Sequence, residues 1–350
     1  MFSTKTSAAG LSILSNSVLV ILKIAAGVVM GSVSVLSEGI HSGVDLLAAL
    51  IAFFSIRAAA KPADEEHQFG HGKIENVSGT IEAILIFLAA FLIIYEAAVK
   101  IQKIFIGAPE VERLGVGIAL MGFSAVVNIF VSRHLHRIGR KTDSVALEAD
   151  AWHLTTDVYT SLGVMAGLAL VWVLERFIQN PLIYIVDPLI AIAVAFLIIR
   201  AAWNITRKSF GGLVDVRLPR TEEDLIAASI TEHLGEVAGF HELRTRKAGS
   251  QRYIDLHLVL PKSVSLAEAH KMCDHLEADI KSKLSNGLVT IHCEPCDQSE
   301  DGNCPNGCPV INCRVNVEKR GPKQSQIARL YRRRPPRLLR RRRPHKEAQD

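Results

Sequence analysis

Two stretches of the chain set a histidine four residues ahead of an aspartate within otherwise apolar sequence: His41 with Asp45, and His153 with Asp157. On an α-helix that spacing stacks the two side chains on one face, one turn apart. Two such faces turned toward each other offer two imidazoles and two carboxylates. That N2O2 set suits a tetrahedral divalent metal, zinc above all. A single His-x-x-x-Asp could equally be an internal pair that ties helices together; two copies in apolar segments argue for a ligand set. Ionisable groups inside a membrane helix cost several kcal/mol, so each is a functional hypothesis by default. Glu38 accompanies the first pair, and Glu148 and Asp150 precede the second. Lys23, Glu82 and Glu96 are further charges in apolar sequence. Lys23 must either snorkel or pair with a carboxylate.

The surrounding sequence is that of a membrane protein. Of 350 residues, 49% are hydrophobic and 21% charged, and the apolar ones gather into long blocks. A helix needs about 20 such residues to cross a hydrocarbon layer. Six segments of that length can be marked, at about 10–31, 33–58, 75–101, 114–134, 145–174 and 183–205. Breaks are expected at Lys61-Pro62, Gly107-Ala108-Pro109, Arg140-Lys141 and Asn180-Pro181. Six spans place both termini on one side, and that side receives eleven Lys and Arg against four on the other. The positive-inside rule makes it the cytoplasm. Neither a transit peptide nor a cleaved signal is expected ahead of the first block.

Beyond residue 207 the pattern changes. Thr221–Leu234 reads as an amphipathic helix capped by Thr221, followed by strands at Phe240–Arg246 and Tyr253–Leu260, with Gly249-Ser250 between them. Ser265–Leu284 is again helical and Leu288–His292 is a last strand. The domains expected are therefore 1–207 for the membrane helices, 208–295 for an α-β-β-α-β unit, and 296–350 for a tail without regular structure. The tail holds 14 Lys and Arg from Arg314 onward against 3 acids, which leaves 26 bases and 32 acids in the body. Its run Arg329–Arg343 could touch anionic head groups or remain solvated. No stacking platform accompanies it, so nucleic acid is not an expected partner. All six cysteines lie late in the chain, at 273, 293, 296, 304, 308 and 313. Cys293-Glu294-Pro295-Cys296 and its followers could hold a soft metal or be an inert or redox-sensitive tail.

Ser37-Glu38-Gly39-Ile40-His41-Ser42-Gly43-Val44-Asp45 and Asp150-Ala151-Trp152-His153-Leu154-Thr155-Thr156-Asp157 resemble the paired transport-site stretches of the cation diffusion facilitator family. The resemblance extends over roughly residues 8–295 and is to the zinc- and iron-type bacterial efflux members. It implies an α-helical membrane protein with six spans and a C-terminal α+β ferredoxin-like, metallochaperone-like cytoplasmic domain. It further implies a homodimer in the inner (plasma) membrane, with protons as the counter-ion and the lipid bilayer as solvent. By the same resemblance the transport site is His41, Asp45, His153 and Asp157. Many bacterial members carry Asp at the first of these positions; His41 should favour Zn2+ over manganese or magnesium and leaves Fe2+, Co2+ and Cd2+ open. Asp64, His67 and His71 fall on the positions of a second metal site in a loop, against the alternative of solvated histidines. His241, His257, His270, His292 and Glu294 fall on those of a cytoplasmic site, with Glu294 in place of the usual Asp. Lys73 and Asp215 match a salt bridge of relatives.

The expected function is thus divalent cation/proton antiport with Zn2+ as the exported and regulatory metal, and no enzyme activity. A membrane metalloenzyme would keep a coordination position open and carry a separate base such as His-Glu-x-x-His, which is absent. A membrane-embedded metal sensor is the remaining alternative.

Overall fold

The structure, a computed structural model, describes residues 4–30, 33–106, 115–174, 176–177, 181–233 and 238–296. Six long helices come first: α1 (Lys5–Met30), α2 (Val33–Ala59), α3 (Lys73–Phe105), α4 (Gly115–Thr142), α5 (Val145–Leu174) and α6 (Val186–Leu213), with a 3-10 turn at Pro181–Ile185 leading into α6. Among the described residues, five of them, all but α4, hold stretches long and apolar enough to cross a membrane. The helices overrun the sequence-marked segments at half of their ends, by up to eight residues at the ends of α4 and α6. The break expected at Arg140-Lys141 falls instead at Asp143, whose φ of 53° turns the chain between α4 and α5. A basic pair is compatible with helix, whereas a left-handed residue ends one.

The interior of the membrane helices collects small and polar residues beside its aliphatic ones. Alanines recur in it: Ala8, Ala9, Ala146 and Ala151 pack with Leu135 and Leu154, and Ala83, Ala90, Ala149 and Ala202 pack with Ile86 and Ile198. Large apolar side chains such as Leu14, Ile21, Phe91, Phe130 and Phe196 face outward. In water that arrangement would be a liability; in acyl chains it is the expected one, since small residues let helices approach and lipid solvates the rest. The approach is closest between α3 and α6: a Cβ on Gly79 would stand 2.5 Å from Ser209 Oγ, and one on Gly212 would stand 2.2 Å from Asn76 Nδ2.

The C-terminal unit comprises residues 217–246 and 252–296 of those described, the intervening 247–251 grouping with the helices. Its elements are α7 (Arg220–Glu232), β1 (Gly239–Ala248), β2 (Gln251–Leu260), α8 (Leu266–Lys283) and β3 (Gly287–Pro295). The strand order is β1-β2-β3, with β2 and β3 parallel and α8 as the crossover. Helix α7 starts one residue early, with Pro219 rather than Thr221 at its N-cap. Helix α8 begins with a capping box between Ser265 and Glu268. Alternation along β2 sends Ile254, Leu256, Leu258 and Leu260 into one core with Ile226, Ile230, Phe240, Leu276 and Ile280. The opposite face of the sheet is left to His257 and its neighbours.

Leu256, 1% exposed at the middle of this core, gives a direct check. Leu256→Ala should cost about 3 kcal/mol. In scanning calorimetry of the full chain in detergent, the transition of the C-terminal unit should fall by roughly 10 °C or more.

Candidate metal centres

Three groups of metal-ligating side chains converge. In the first, donor atoms of His41, Asp45 and Asp157 all lie within 4.8 Å of one another. His41 and Asp45 come from α2 and Asp157 from α5, as helix faces of period four require. His153, one turn before Asp157, is turned onto Asp45: its Nε2 donates to Asp45 Oδ1 at 3.0 Å, and both residues are buried. Asp157 Oδ2 and His153 Nδ1 have no hydrogen-bond partner. The proton that His153 Nε2 donates to Asp45 stands between the fourth candidate donor and the other three. Behind them, Asn16 Nδ2 of α1 reaches the backbone carbonyl of Asp45 at 3.5 Å.

The position of α5 depends on a group to which the sequence reading gave no role. Glu75, 3% exposed on α3, accepts from Ser144 Oγ at 2.6 Å and from the Val145 backbone N–H at 3.1 Å, at the first turn of α5. Its other oxygen pairs with Lys5 Nζ of α1 at 2.9 Å. A carboxylate on a helix N-terminus satisfies orphan N–H groups and the macrodipole together. Three helices are thereby pinned at one end of the site. Closer to the ligands, Glu82 and Asp150 are both fully buried. Ser78 donates to Glu82 Oε1 and Ser12 to Asp150 Oδ1, while Glu82 Oε2 and Asp150 Oδ2 lack partners. Glu82 stood out in the sequence as a charge in apolar surroundings; its proximity to Asp150 is a tertiary fact.

The second group is the loop between α2 and α3. Asp64, His67 and His71 bring one donor each within 4.8 Å. The His67 backbone N–H donates to Asp64 Oδ1 at 2.7 Å, and His71 Nε2 lies 3.3 Å from Asp64 Oδ2. His71 Nδ1 lies 3.2 Å from the Pro62 carbonyl, whose oxygen can only accept, so Nε2 is the nitrogen left for a ligand. Gly70 at φ 77° makes the reversal that brings His71 back over His67, with rings 4.4 Å apart. The His67 amide, more than any charge, holds the exposed Asp64 carboxyl below its usual range. Lys73 Nζ pairs with Asp215 Oδ1 at 3.0 Å.

The third group lies on the polar face of the sheet. His241 of β1, His257 of β2 and Glu294 of β3 bring one donor each within 4.8 Å. His241 Nε2 donates to Glu294 Oε2 at 2.9 Å and His257 Nδ1 to Oε1 at 2.7 Å. The parallel register sets His257 opposite His292, whose Nε2 lies 3.5 Å from Glu294 Oε1. His270 stands apart: it is on α8, its side chain 77% exposed, near Asp274 at 3.7 Å. On the other face of β3, Cys293 Sγ meets Cys273 Sγ of α8 at 2.9 Å, and burial pushes the Cys273 thiol up to about 12. Cys296 is buried. Cys304, Cys308 and Cys313 and the Arg329–Arg343 run lie outside the described residues.

Burial works against the Glu294 carboxylate, but the hydrogen bonds from His241 and His257 outweigh it and lower its pKa. A depressed folded value stabilises the fold above the unfolded pKa of about 4.3 and ceases to do so as pH falls through the folded value. In the metal-free protein, Glu294→Gln should therefore flatten the acid limb of thermal stability as pH falls from about 5 through the folded value. Equal acid limbs for parent and variant would show that those bonds carry no linkage.

Comparison with known proteins matches residues 10–214 to the cation efflux transmembrane domain and residues 218–296 to the cytoplasmic domain of cation efflux proteins. An uncharacterised transporter of Synechocystis, sll1263, is 34% identical over 82% of this chain and 89% of its own length. The cation-efflux pump FieF of Serratia proteamaculans is 32% identical over 82% of this chain and 91% of its own. FieF of Yersinia pestis is 32% identical over 80% and 89%.

Proposed function

The chain belongs to the cation efflux family of membrane-spanning transporters, and on that premise we propose that it is a divalent cation/proton antiporter exporting Zn2+ from the cytoplasm. The observation that carries this reading is the 3.0 Å bond from His153 Nε2 to Asp45 Oδ1 beside the convergent His41 and Asp157. A metal ligand must be deprotonated. A cation seated on all four residues has to expel the proton that holds His153 to Asp45, and a returning proton has to expel the cation. Exchange follows from that exclusion, and the proton gradient sets its direction. Two imidazoles with two carboxylates favour zinc. Fe2+, Co2+ and Cd2+ are the alternative cargoes, since borderline metals accept the same donors.

Rocking of the helices then exposes the four ligands to the opposite side of the membrane, with the Glu75 clasp holding the start of α5 to α1 and α3. Both termini are cytoplasmic in this reading, the membrane is the inner (plasma) membrane, and the protein is a homodimer. Asp64, His67 and His71 form a loop site, and His241, His257, His292 and Glu294 form the regulatory site. His270 reaches neither cluster within the chain; any role for it in metal binding rests on a partner subunit.

His41→Ala or Asp157→Ala should abolish proton-driven zinc uptake into inverted vesicles. Undiminished uptake by either variant would remove the proposed transport site. His257→Ala should leave the maximal rate near that of the parent and raise the zinc concentration needed for half of it by roughly tenfold, as for loss of one ligand or its support. An unchanged concentration dependence would remove the regulatory role.

A further inference from the structure

Lys23 is buried within α1, 6% exposed, at the level of the membrane site. Its Nζ donates to Ser42 Oγ at 2.8 Å. Ser42 follows His41 directly and precedes Asp45 by three residues, so the ammonium is held at the turn of α2 that carries both candidate ligands. Its charge reaches the carboxylates of both Asp45 and Asp157, as a smaller influence on each than burial, His153 or His41. The two helices are locked together here. A Cβ on Gly27 would stand 2.9 Å from the Leu36 backbone N, and one on Gly39 would stand 2.8 Å from Ile24 Cγ1. Lys23 therefore sits on a helix packed closely against α2 at the residues that follow it in sequence, Ile24 and Gly27.

Resting on the reading of His41, Asp45, His153 and Asp157 as the transport site, we propose that Lys23 is a fixed counter-cation of that site and sets how tightly it holds a divalent ion. The argument is a matter of charge. With both aspartates ionised, Lys23 offsets one of their two negative charges. A divalent ion then brings the site past neutrality to a net positive charge. Without the ammonium, the same ion would leave the site neutral and be held more firmly, because Coulomb interactions are weakly screened away from water. An exporter has to release its cargo as well as bind it, and a resident positive charge favours release.

The test is zinc titration of the purified full-length protein, with Asp157→Ala defining the component that belongs to the membrane site. Lys23→Gln keeps a donor for Ser42 and removes the charge; Lys23→Arg keeps the charge. Lys23→Gln should tighten the Asp157-dependent component by on the order of tenfold or more and lower the zinc level for half-maximal vesicle flux. Lys23→Arg should stay near the parent. A misfolded variant would loosen binding, the opposite sign. Affinity unchanged or weakened in Lys23→Gln, with the Asp157-dependent component present in the parent, overturns this inference alone. If Asp157→Ala removes no component of zinc binding, the transport-site reading fails and this inference fails with it.

Discussion

The constraint on which the rest depends is the cost of ionised side chains in hydrocarbon. The membrane helices carry Asp45, Asp157, Glu82 and Asp150 at buried or half-buried positions, with Lys23, His41 and His153 as the basic groups nearest them. Each carboxylate has to be answered by a proton, an ammonium, an imidazolium or a metal. Asp45 is answered by His153, at 3.0 Å. Glu82 and Asp150 are each half answered by a serine and keep one oxygen without a partner. A site in that condition is not neutral packing material; it is a place where the identity of the cation can change. The proposed antiport is the statement that the cation changes in step with the side of the membrane to which the site is open.

The helices can hold such a site because of what surrounds it. Alanine and glycine at the contacts bring backbones close, so few alternative packings remain and ligand faces cannot rotate freely. Polar clasps then set the axial position. Glu75 closes on the first turn of α5 and on Lys5, which ties α5, the helix of His153 and Asp157, to α1 and α3. The sheet of the C-terminal unit solves a similar positioning problem by register. Parallel pairing sets His257 against His292, and strand alternation puts Glu294 on their face and Cys293 on the other.

The ligand faces were legible because helical periodicity is local: four residues apart is one face whatever the rest of the chain does. The α-β-β-α-β order was legible for the same reason, from the alternation of Ile254, Leu256, Leu258 and Leu260. What the sequence hid was long-range or backbone-specific. Glu75 reads as an ordinary first-turn acid of α3, and only packing shows that its oxygens serve the start of another helix, 70 residues on. Arg140-Lys141 looks like a boundary, while the actual turn after α4 rests on the φ of Asp143. Thr221 reads as the cap because its hydroxyl could accept from a first-turn amide, whereas the helix starts after Pro219 with no side-chain cap bond. His270 was grouped with the sheet histidines by resemblance, yet it projects from α8 into solvent.

The two ligand sets with direct imidazole–carboxylate bonds differ in a way that bears on their separate roles. At the sheet, Glu294 accepts from two imidazoles at once, and its side chain is 33% exposed. At this proposed regulatory site water could replace a departing metal, so occupancy would follow the metal concentration in the surrounding solution. Within the helices, Asp45 is 6% exposed and its bond to His153 is buried. His41 of the same set is exposed. At the buried Asp45–His153 pair, however, water is a poor substitute, so in the proposed antiport a metal leaving that pair would be exchanged for a proton and not merely released. Concentration sensing suits the first environment and obligatory exchange suits the second, although the donor chemistry of the two is nearly the same.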